Sequence, residues 1–487
     1  MSIIIIRFAI FLMLTLSIAD HPDDDHKLHD ISTPFVGGVG VLAALCLALV
    51  VLINLYSEHF QECLVLGLCS IIIFVTGFVD DTIKLSYKPR FFIQAIVALT
   101  MVFGGGVVLS DLGGLLFGFP LQLGILGVAF TVFATIGGIN ALNMIDGIDG
   151  LSGSISLISL LLIGIVAFIA GDQHNLILIT TLAGGVVGFL YFNLRYPSQR
   201  HARVFLGDNG SMLLGLMFAW LLVDLSQGSN PALTPVTAIW LFSVPLMDTI
   251  SVMLRRMCMG QSPFKPDRQH LHHLLMKAGF RVTEIVFVVA LLHSLLGIIG
   301  LTGLYMGVSE FAMLLGFLLI SIGYFFLTYR SWRFVSMLRN LDILLDTRFG
   351  FAPVADYGVL SGSYTAKDIE SLTKITSKGL GPDSDFWLRI FEQSSTNDNS
   401  IRYYAVTLHI QPNKENCASK EKLEQYVTLL QQRLKEQRGI QLHHFVKRHI
   451  DFNPAIYSSG SVDSESRIAR QPRLDRQVLE FEITRCK

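Results

Sequence analysis

Long apolar runs constrain this chain more than any other feature of its sequence. Each run has roughly 18–22 residues, the length that a helix needs to cross about 30 Å of hydrocarbon. Because backbone groups in hydrocarbon must find partners within one helix, the runs predict an all-α polytopic membrane protein with about eleven transmembrane helices. The windows lie near residues 2–19, 36–56, 62–79, 92–110, 121–139, 151–171, 174–194, 210–225, 232–254, 284–306 and 309–329.

The composition supports a membrane protein and excludes other classes. Of the 487 residues, 52% are hydrophobic and 15% are charged, against about 25% charged in an average soluble domain. The net charge of −1 argues against a nucleic-acid partner, which would normally leave a basic footprint. The six cysteines form no Cys-x-x-Cys pair, so neither a disulfide framework nor a zinc site is expected.

Basic residues occupy alternate connections between the windows. They lie in the third, seventh and ninth connections and after the last window. Because such loops stay in the cytoplasm, residues 1–335 are predicted to be a multi-pass domain with an outer N-terminus and cytoplasmic basic loops. The opposite connections contain no Lys or Arg: residues 57–61, 111–120, 172–173, 226–231 and 307–310.

The first window could instead be a cleaved signal peptide, since Ser2 to Ala19 has a suitable length. Cleavage would leave ten spans and place every basic loop outside the cell. The charge rule disfavours that arrangement. We therefore predict that the first window spans the membrane.

The chain becomes polar and charged in its last third. Residues 336–400 are predicted to form an amphipathic surface helix and a linker. Residues 401–487 are predicted to form a small soluble cytoplasmic α+β domain of unknown role. Within it, alternation predicts strands over 403–410 and 477–484, and helical spacing predicts a helix over 420–437.

Carboxylates stand at the ends of the apolar runs, where a membrane protein tolerates them least. An acid beside hydrocarbon needs a metal, a base or an aqueous cavity. Asn and Asp oxygens suit a hard ion such as Mg²⁺, although solvated helix ends or a helix cap would also account for some of these acids. The pattern predicts an active site around a divalent cation, with Asp80, Asp81, Asn143, Asp146, Asp149 and Asp208 as its residues.

A histidine-rich segment lies in the longest internal basic loop. It carries Arg268, His270, His272 and His273. Three imidazoles and a guanidinium suggest zinc or phosphate, and no cysteine is near. A diphosphate clamp fits better, because Arg268 can donate two parallel hydrogen bonds.

Further residues beside these segments could contact a lipid phosphate or a nucleotide. Three basic side chains follow Asp80 and Asp81, and a lysine precedes the second window. A glycine at the start of that window lets the backbone approach a ligand closely. These residues are Lys27, Gly38, Lys84, Lys88 and Arg90.

Four segments together resemble the polyprenyl-phosphate N-acetylhexosamine-1-phosphate transferase family. They occur in the family's order, and all are predicted on one face of the membrane. The His-x-His-His form is similar to the N-acetylglucosamine branch, whereas muramoyl-pentapeptide relatives carry three consecutive histidines. An acidic segment at 20–30 and the tail after 340 depart from the family pattern. The matching segments are Val79 to Asp81, Asn140 to Leu151, Phe205 to Ser211 and Arg268 to His273.

The resemblance implies transfer of an N-acetylhexosamine 1-phosphate, GlcNAc-1-phosphate first, from a UDP-sugar to undecaprenyl phosphate, with release of UMP. It implies Mg²⁺ or Mn²⁺ as cofactor, nearest to Asn143 and Asp208. Asp80 or Asp81 would act on the acceptor phosphate, either as a base or by orienting it. Nucleotide and diphosphate contacts are implied for Asp146, Asp149, Arg268, His270, His272 and His273.

The resemblance further implies a bacterial inner-membrane enzyme that initiates a cell-surface polysaccharide such as O-antigen or enterobacterial common antigen. FucNAc, QuiNAc or GalNAc could replace GlcNAc, and both a monomer and a homodimer fit. In a different class, a secondary transporter also has interrupted helices and membrane acids. Its acids should lie near the bilayer midplane, whereas these are predicted at one interface.

Overall fold

The computed structural model describes most of the membrane part and six strands of the tail. Outside the strands, the described residues are 2–15, 33–115, 118–196, 198–199, 201–228, 230–263, 269–278, 280, 282–329, 334 and 337–338. These form thirteen α-helices and one short 3-10 helix, Ser57–His59. The helices are α1 (Ser2–Thr15), α2 (Gly37–Leu55), α3 (Phe60–Ile83), α4 (Tyr87–Gly105), α5 (Leu126–Ile145), α6 (Leu151–Ala170), α7 (Gln173–Asn193), α8 (Gly207–Asp224), α9 (Pro235–Leu241), α10 (Ser243–Cys258), α11 (Leu271–Ala278), α12 (Val282–Tyr305) and α13 (Glu310–Tyr329).

The chain is an integral membrane protein by the length and apolarity of its helices. Seven described helices could cross a membrane, or eight if the bent pair of α9 and α10 forms one span. The seven include α2, α3 and α5. Helices α1, α4 and α8 occupy three more predicted windows, but α1 is short, and α4 and α8 begin with polar residues. The number eleven therefore stays a prediction.

Helix α8 lies at the centre of the membrane part. It packs against α2, α3 and α5, and its large side chains Phe218 and Trp220 are buried. Because protein rather than lipid surrounds it, α8 can begin with Gly207-Asp208-Asn209 without exposing these polar groups to hydrocarbon. This enclosure brings the polar end of α8 against its neighbours.

Helices α9 and α10 meet at an 86° bend. A bend releases backbone carbonyls that need new partners. Ser159 Oγ donates to the Leu241 carbonyl at 2.9 Å and also lies 2.8 Å from His293 Nε2. Buried polar side chains of α6 and α12 therefore stabilise the break.

The tail contains six described strands, in a unit separate from the membrane part. Four of them form an antiparallel sheet in the order β2-β3-β1-β4, and the other two pair with each other. The strand β3 covers the predicted strand over 403–410, and β6 lies within 477–484. The predicted helix over 420–437 lies outside the described residues, so the α+β class stays a prediction. The strands are β1 (Asp356–Tyr364), β2 (Ser384–Gln393), β3 (Tyr403–Pro412), β4 (Leu442–Lys447), β5 (Ile468–Arg470) and β6 (Phe481–Ile483).

Candidate active site

The carboxylate of Asp81 holds the first turn of α8. It accepts hydrogen bonds from the backbone N–H groups of Asp208 at 2.8 Å and Asn209 at 3.2 Å, and from Asn209 Nδ2 at 2.6 Å. An anion at a helix N-terminus satisfies free N–H groups and complements the helix dipole. This geometry makes Asp81 a positioning residue for Asp208.

Gly77 allows this contact between α3 and α8. A Cβ atom built on Gly77 would lie 2.4 Å from the Asn209 Cα and 2.5 Å from the Asn209 nitrogen. Real Cβ atoms do not approach backbone so closely. The absence of a side chain at Gly77 therefore lets the two helices meet where Asp81 caps α8.

Asp80 is a buried carboxylate, 4% exposed, at the same end of α3. It pairs with Arg90 Nη1 at 2.7 Å and accepts the Leu85 backbone N–H at 2.7 Å. The carboxyl group of Asp208 is close enough to act on it electrostatically. Two neighbouring carboxylates repel each other, and a cation between them would remove that repulsion.

Asn143 connects this acid pair to α5. Its Nδ2 donates to Asp208 Oδ1 at 2.6 Å and to Ser211 Oγ at 3.0 Å. Its Oδ1 accepts from Arg90 Nη2 at 3.1 Å. The two predicted metal ligands, Asn143 and Asp208, thus lie in contact, although they are far apart in sequence.

These oxygen atoms fit a hard divalent cation. Asp80 and Asp208 lie close enough for their charges to interact, and rotation of the Asn143 amide would turn its oxygen toward Asp208. Carboxylate and amide oxygens are the ligands that Mg²⁺ prefers, and a cation would remove the repulsion between the acids. The donor set therefore fits Mg²⁺ or Mn²⁺.

Asp146 lies in the loop after α5 and accepts a 2.5 Å hydrogen bond from Ser152 Oγ. Burial raises the pKa of Asp146 to about 7, and the neighbouring Asp208, Asp81 and Asp149 shift it in the same direction, against the Ser152 hydrogen bond. A nearby cation would reverse this effect. Asp146 is therefore a group whose charge should respond to metal binding.

The Asp149 carboxylate binds other residues of the protein. Its Oδ2 accepts from Arg195 Nε at 2.7 Å and from the Ala202 backbone N–H at 3.2 Å. Both partners belong to the connection between α7 and α8. These bonds favour an anchoring function for Asp149 over the predicted substrate contact.

The histidine segment is supported by a carboxylate that the sequence analysis did not select. Asp248, only 2% exposed, lies 2.8 Å from His270 Nδ1 through its Oδ2. Its Oδ1 accepts from the Leu271 N–H at 3.0 Å and from Tyr324 Oη at 2.6 Å. Such a carboxylate fixes the orientation of an imidazole ring. Its position inside the predicted window 232–254 could have identified Asp248 from the sequence, because an acid within a membrane span usually has a specific partner.

His272 joins the histidines to the acidic loop. It is 2% exposed, and within the described residues neither ring nitrogen has a hydrogen-bond partner. A Cβ atom on Gly147 would lie 2.3 Å from His272 Nε2. Burial, with the adjacent His270, lowers the pKa of His272 to about 4, so the ring is neutral at pH 7. The ring centroids of His272 and His273 lie 4.2 Å apart.

The residues predicted to contact a lipid phosphate or a nucleotide do not all lie in the site. Arg90 lies in the site, between Asp80 and Asn143. Gly38 packs against α8, where an added Cβ would meet Asn209 Oδ1 at 2.0 Å, so it serves helix packing. Lys84 and Lys88 are exposed beside the site. Lys27 and Arg268 lie outside the described residues.

Comparisons with known proteins agree with this arrangement. The model of glycosyl transferase family 4 matches residues 63–226, which include every acid of the site except Asp248. The chain is 36% identical over 328 residues to the undecaprenyl-phosphate alpha-N-acetylglucosaminyl 1-phosphate transferase of Yersinia pestis, covering 67% of this chain and 88% of the relative.

Proteins of the same name in two other bacteria are similarly related. The protein from Escherichia coli K12 is 34% identical over 328 residues, with 67% of this chain and 88% of the relative covered. The protein from Pasteurella multocida is 37% identical over 328 residues, with 67% and 90% covered. The similarity thus extends over most of each relative.

Proposed function

Because this chain belongs to glycosyl transferase family 4, we propose that it is a phosphotransferase acting on a UDP-N-acetylhexosamine and undecaprenyl phosphate. It transfers the N-acetylhexosamine 1-phosphate to the lipid phosphate and releases UMP. GlcNAc is the favoured sugar, since the relatives are named for it. The observation that carries the proposal is the hydrogen bond from Asn143 to Asp208 beside the ion pair of Arg90 with Asp80.

Positioning and charge neutralisation supply most of the catalysis in phosphoryl transfer. Mg²⁺ held by Asp208, with Asp80 and Asn143, would neutralise the charge of the sugar diphosphate. Asp81 positions Asp208 through the first turn of α8. Arg90 orients both Asp80 and Asn143.

Asp80 is proposed to orient the acceptor or share the cation rather than act as a strong base. The second pKa of a phosphate monoester lies near 6. The acceptor phosphate is therefore mostly a dianion at neutral pH and has little need of deprotonation. The Asp80 carboxylate is also already engaged by Arg90 Nη1 at 2.7 Å and by the Leu85 backbone N–H.

The histidines and Arg268 are proposed to hold the diphosphate of the sugar nucleotide. If Asp248 accepts the Nδ1 proton of His270, Nε2 of that ring faces the other direction. His272 stays neutral at pH 7 and can donate one hydrogen bond without adding charge. Asp146 precedes Gly147, which packs against His272. The charge of Asp146 would therefore respond to a cation bound nearby.

The proposed location is the bacterial inner membrane, with the site and the tail on the cytoplasmic side. The acids lie where α3 and α5 end and α8 begins. A lipid phosphate at headgroup level and a soluble nucleotide can meet at such helix ends. Eleven spans would place these ends in the cytoplasm. The product would initiate a cell-surface polysaccharide such as O-antigen.

The test is incubation of the purified protein with undecaprenyl phosphate, radiolabelled UDP-GlcNAc and Mg²⁺. We expect equal amounts of UMP and of a lipid-linked sugar phosphate, and none after EDTA treatment. Parallel reactions with UDP-GalNAc, UDP-FucNAc and UDP-QuiNAc identify the sugar. If no UDP-sugar gives UMP and a lipid product, the proposal is wrong.

A further inference from the structure

Three side chains with metal-binding atoms meet at the connections that join α2 to α3 and α6 to α7. His59 ends the 3-10 helix, Glu62 lies in the first turn of α3, and His174 lies in the first turn of α7. One ligand atom from each side chain lies within 4.8 Å of the other two. The mechanism above uses none of these residues.

This cluster is far from the candidate active site. Helix α3 carries Glu62 near its beginning and Asp80 near its end. At about 1.5 Å of rise per residue, the two positions are about 27 Å apart. Helix α7 likewise begins beside the cluster and ends at Asn193, whose side chain binds the Gly150 backbone N–H. The cluster and the active site lie at opposite ends of the same helices.

The side chains are arranged with their donor atoms close together. His59 Nδ1 lies 3.0 Å from Glu62 Oε2. The rings of His59 and His174 stack, with centroids 4.4 Å apart and planes inclined by 26°. Tyr56 packs edge-on against both rings. The stacked rings hold their nitrogen atoms close to the Glu62 carboxylate, as the binding of one shared ion requires.

The surroundings favour a cation that binds nitrogen. Glu58, Glu62 and Asp172 all act on His174 as negative charges, and residues 57–61 and 172–173 contain no Lys or Arg. The thiol of Cys63 lies 3.9 Å from His174 Nε2. Imidazole nitrogen, one carboxylate and a nearby sulfur suit Zn²⁺ rather than Mg²⁺.

We propose that His59, Glu62 and His174 bind a divalent transition-metal ion of the zinc class. The ion would join the connection between α2 and α3 to the beginning of α7, and thereby stabilise the end of the bundle opposite the active site. This proposal is independent of the proposed transferase activity. No zinc site was expected from the sequence, because its cysteines form no Cys-x-x-Cys pair and His174 is remote in sequence from His59 and Glu62.

The test is zinc titration of the purified, EDTA-treated full chain in detergent, by calorimetry and by thermal unfolding. We compare the wild type with Glu62→Ala, His174→Ala and the matched control Glu58→Ala, which removes a neighbouring carboxylate outside the ligand set. Zn²⁺ should bind the wild type and Glu58→Ala and raise their Tm. Both ligand variants should lose at least about tenfold in affinity for this site, since even the loss of a residue that only supports a metal ligand costs about 10- to 100-fold.

The comparison separates zinc binding at this cluster from zinc binding elsewhere and from misfolding of a variant. Zinc bound elsewhere, for example at the active-site histidines, is common to all four proteins and cancels in the comparison. The Tm of each protein without zinc reports whether it is folded, and Glu62→Ala changes a partly exposed side chain. The same zinc affinity and Tm increase in all four proteins would overturn the proposal, as would an equal response to Mg²⁺.

Discussion

Asp81 and Asp208 are carboxylates at adjacent helix ends, but their surroundings give them different functions. Asp81 accepts three hydrogen bonds from the first turn of α8, so its oxygen atoms are already engaged within the protein. Asp208 accepts a hydrogen bond from the Asn143 amide and lies close enough to Asp80 for the two charges to interact, so its charge is the one that a cation would compensate. Asp208 is thus the residue at which a metal requirement should be tested.

At the residue scale, we expect Asp208→Asn to lower the rate of transfer by about 10²-fold or more, since a ligand to the developing charge is lost. The variant should also need more Mg²⁺ for half-maximal rate. Asp172→Asn is the control, because Asp172 caps α7 at the opposite end of the bundle and Asn is also a good cap. Equal losses in both variants would indicate a folding defect instead.

The titration of Asp146 gives a second prediction. Its pKa is raised from 3.8 to about 7, so between these values the folded chain holds a proton that the unfolded chain releases. Its contribution to stability is therefore lost as the pH rises from about 4 to 7. Because a cation favours the ionised form, Mg²⁺ should raise the Tm more at pH 8 than at pH 6.

Thermal unfolding with and without Mg²⁺ at these two pH values checks the prediction. Asp146→Asn cannot ionise and should show a smaller difference between the two Mg²⁺ effects. A Mg²⁺ effect that is independent of pH in the wild type would contradict it.

At the scale of helices, close contact rather than apolarity decides where α8 lies. Gly77 lets α3 approach the Asn209 backbone, and Gly147 lets the acidic loop approach His272. A polar helix beginning is acceptable there because Asp81 and Asn143 satisfy it. The site therefore depends on contacts between helices as much as on the acids themselves.

Gly77→Ala should test this dependence. The added methyl group would overlap the Asn209 backbone, and such overpacking costs about 1–3 kcal/mol. We expect a lower Tm and a transfer rate that falls more than the stability loss explains, because α8 would move away from Asp81. Gly67→Ala, in the same helix, meets only Leu49 Cδ1 at 3.3 Å and should keep most of both properties. Similar activities for the two variants would argue against a positioning function for this contact.

At the scale of the whole molecule, the helices separate two polar clusters. The acids and histidines lie where α3, α5 and α7 end, and the His59, Glu62 and His174 cluster lies where α3 and α7 begin. Because lipid surrounds the middle of such a bundle, polar chemistry concentrates at its two ends. Each end can therefore bind a different ligand.

The sequence alone indicated the membrane class and the family, and it predicted the acids of the candidate site, because hydrocarbon length and charge placement are local properties of a chain. It predicted Asn143 and Asp208 as ligands of one cation, and the two side chains lie in contact at 2.6 Å. It could not predict that Asp81 binds the first turn of α8 or that Asp149 binds Arg195, since these partners lie in other parts of the chain.

Only the tertiary structure revealed Asp248 behind His270 and the distant histidine that completes the second cluster. Both depend on which helix ends are adjacent. Packing decides that adjacency through glycine contacts and buried hydrogen bonds between residues remote in sequence. The sequence indicated which chemical groups the chain carries, and the tertiary structure decided which of them lie together.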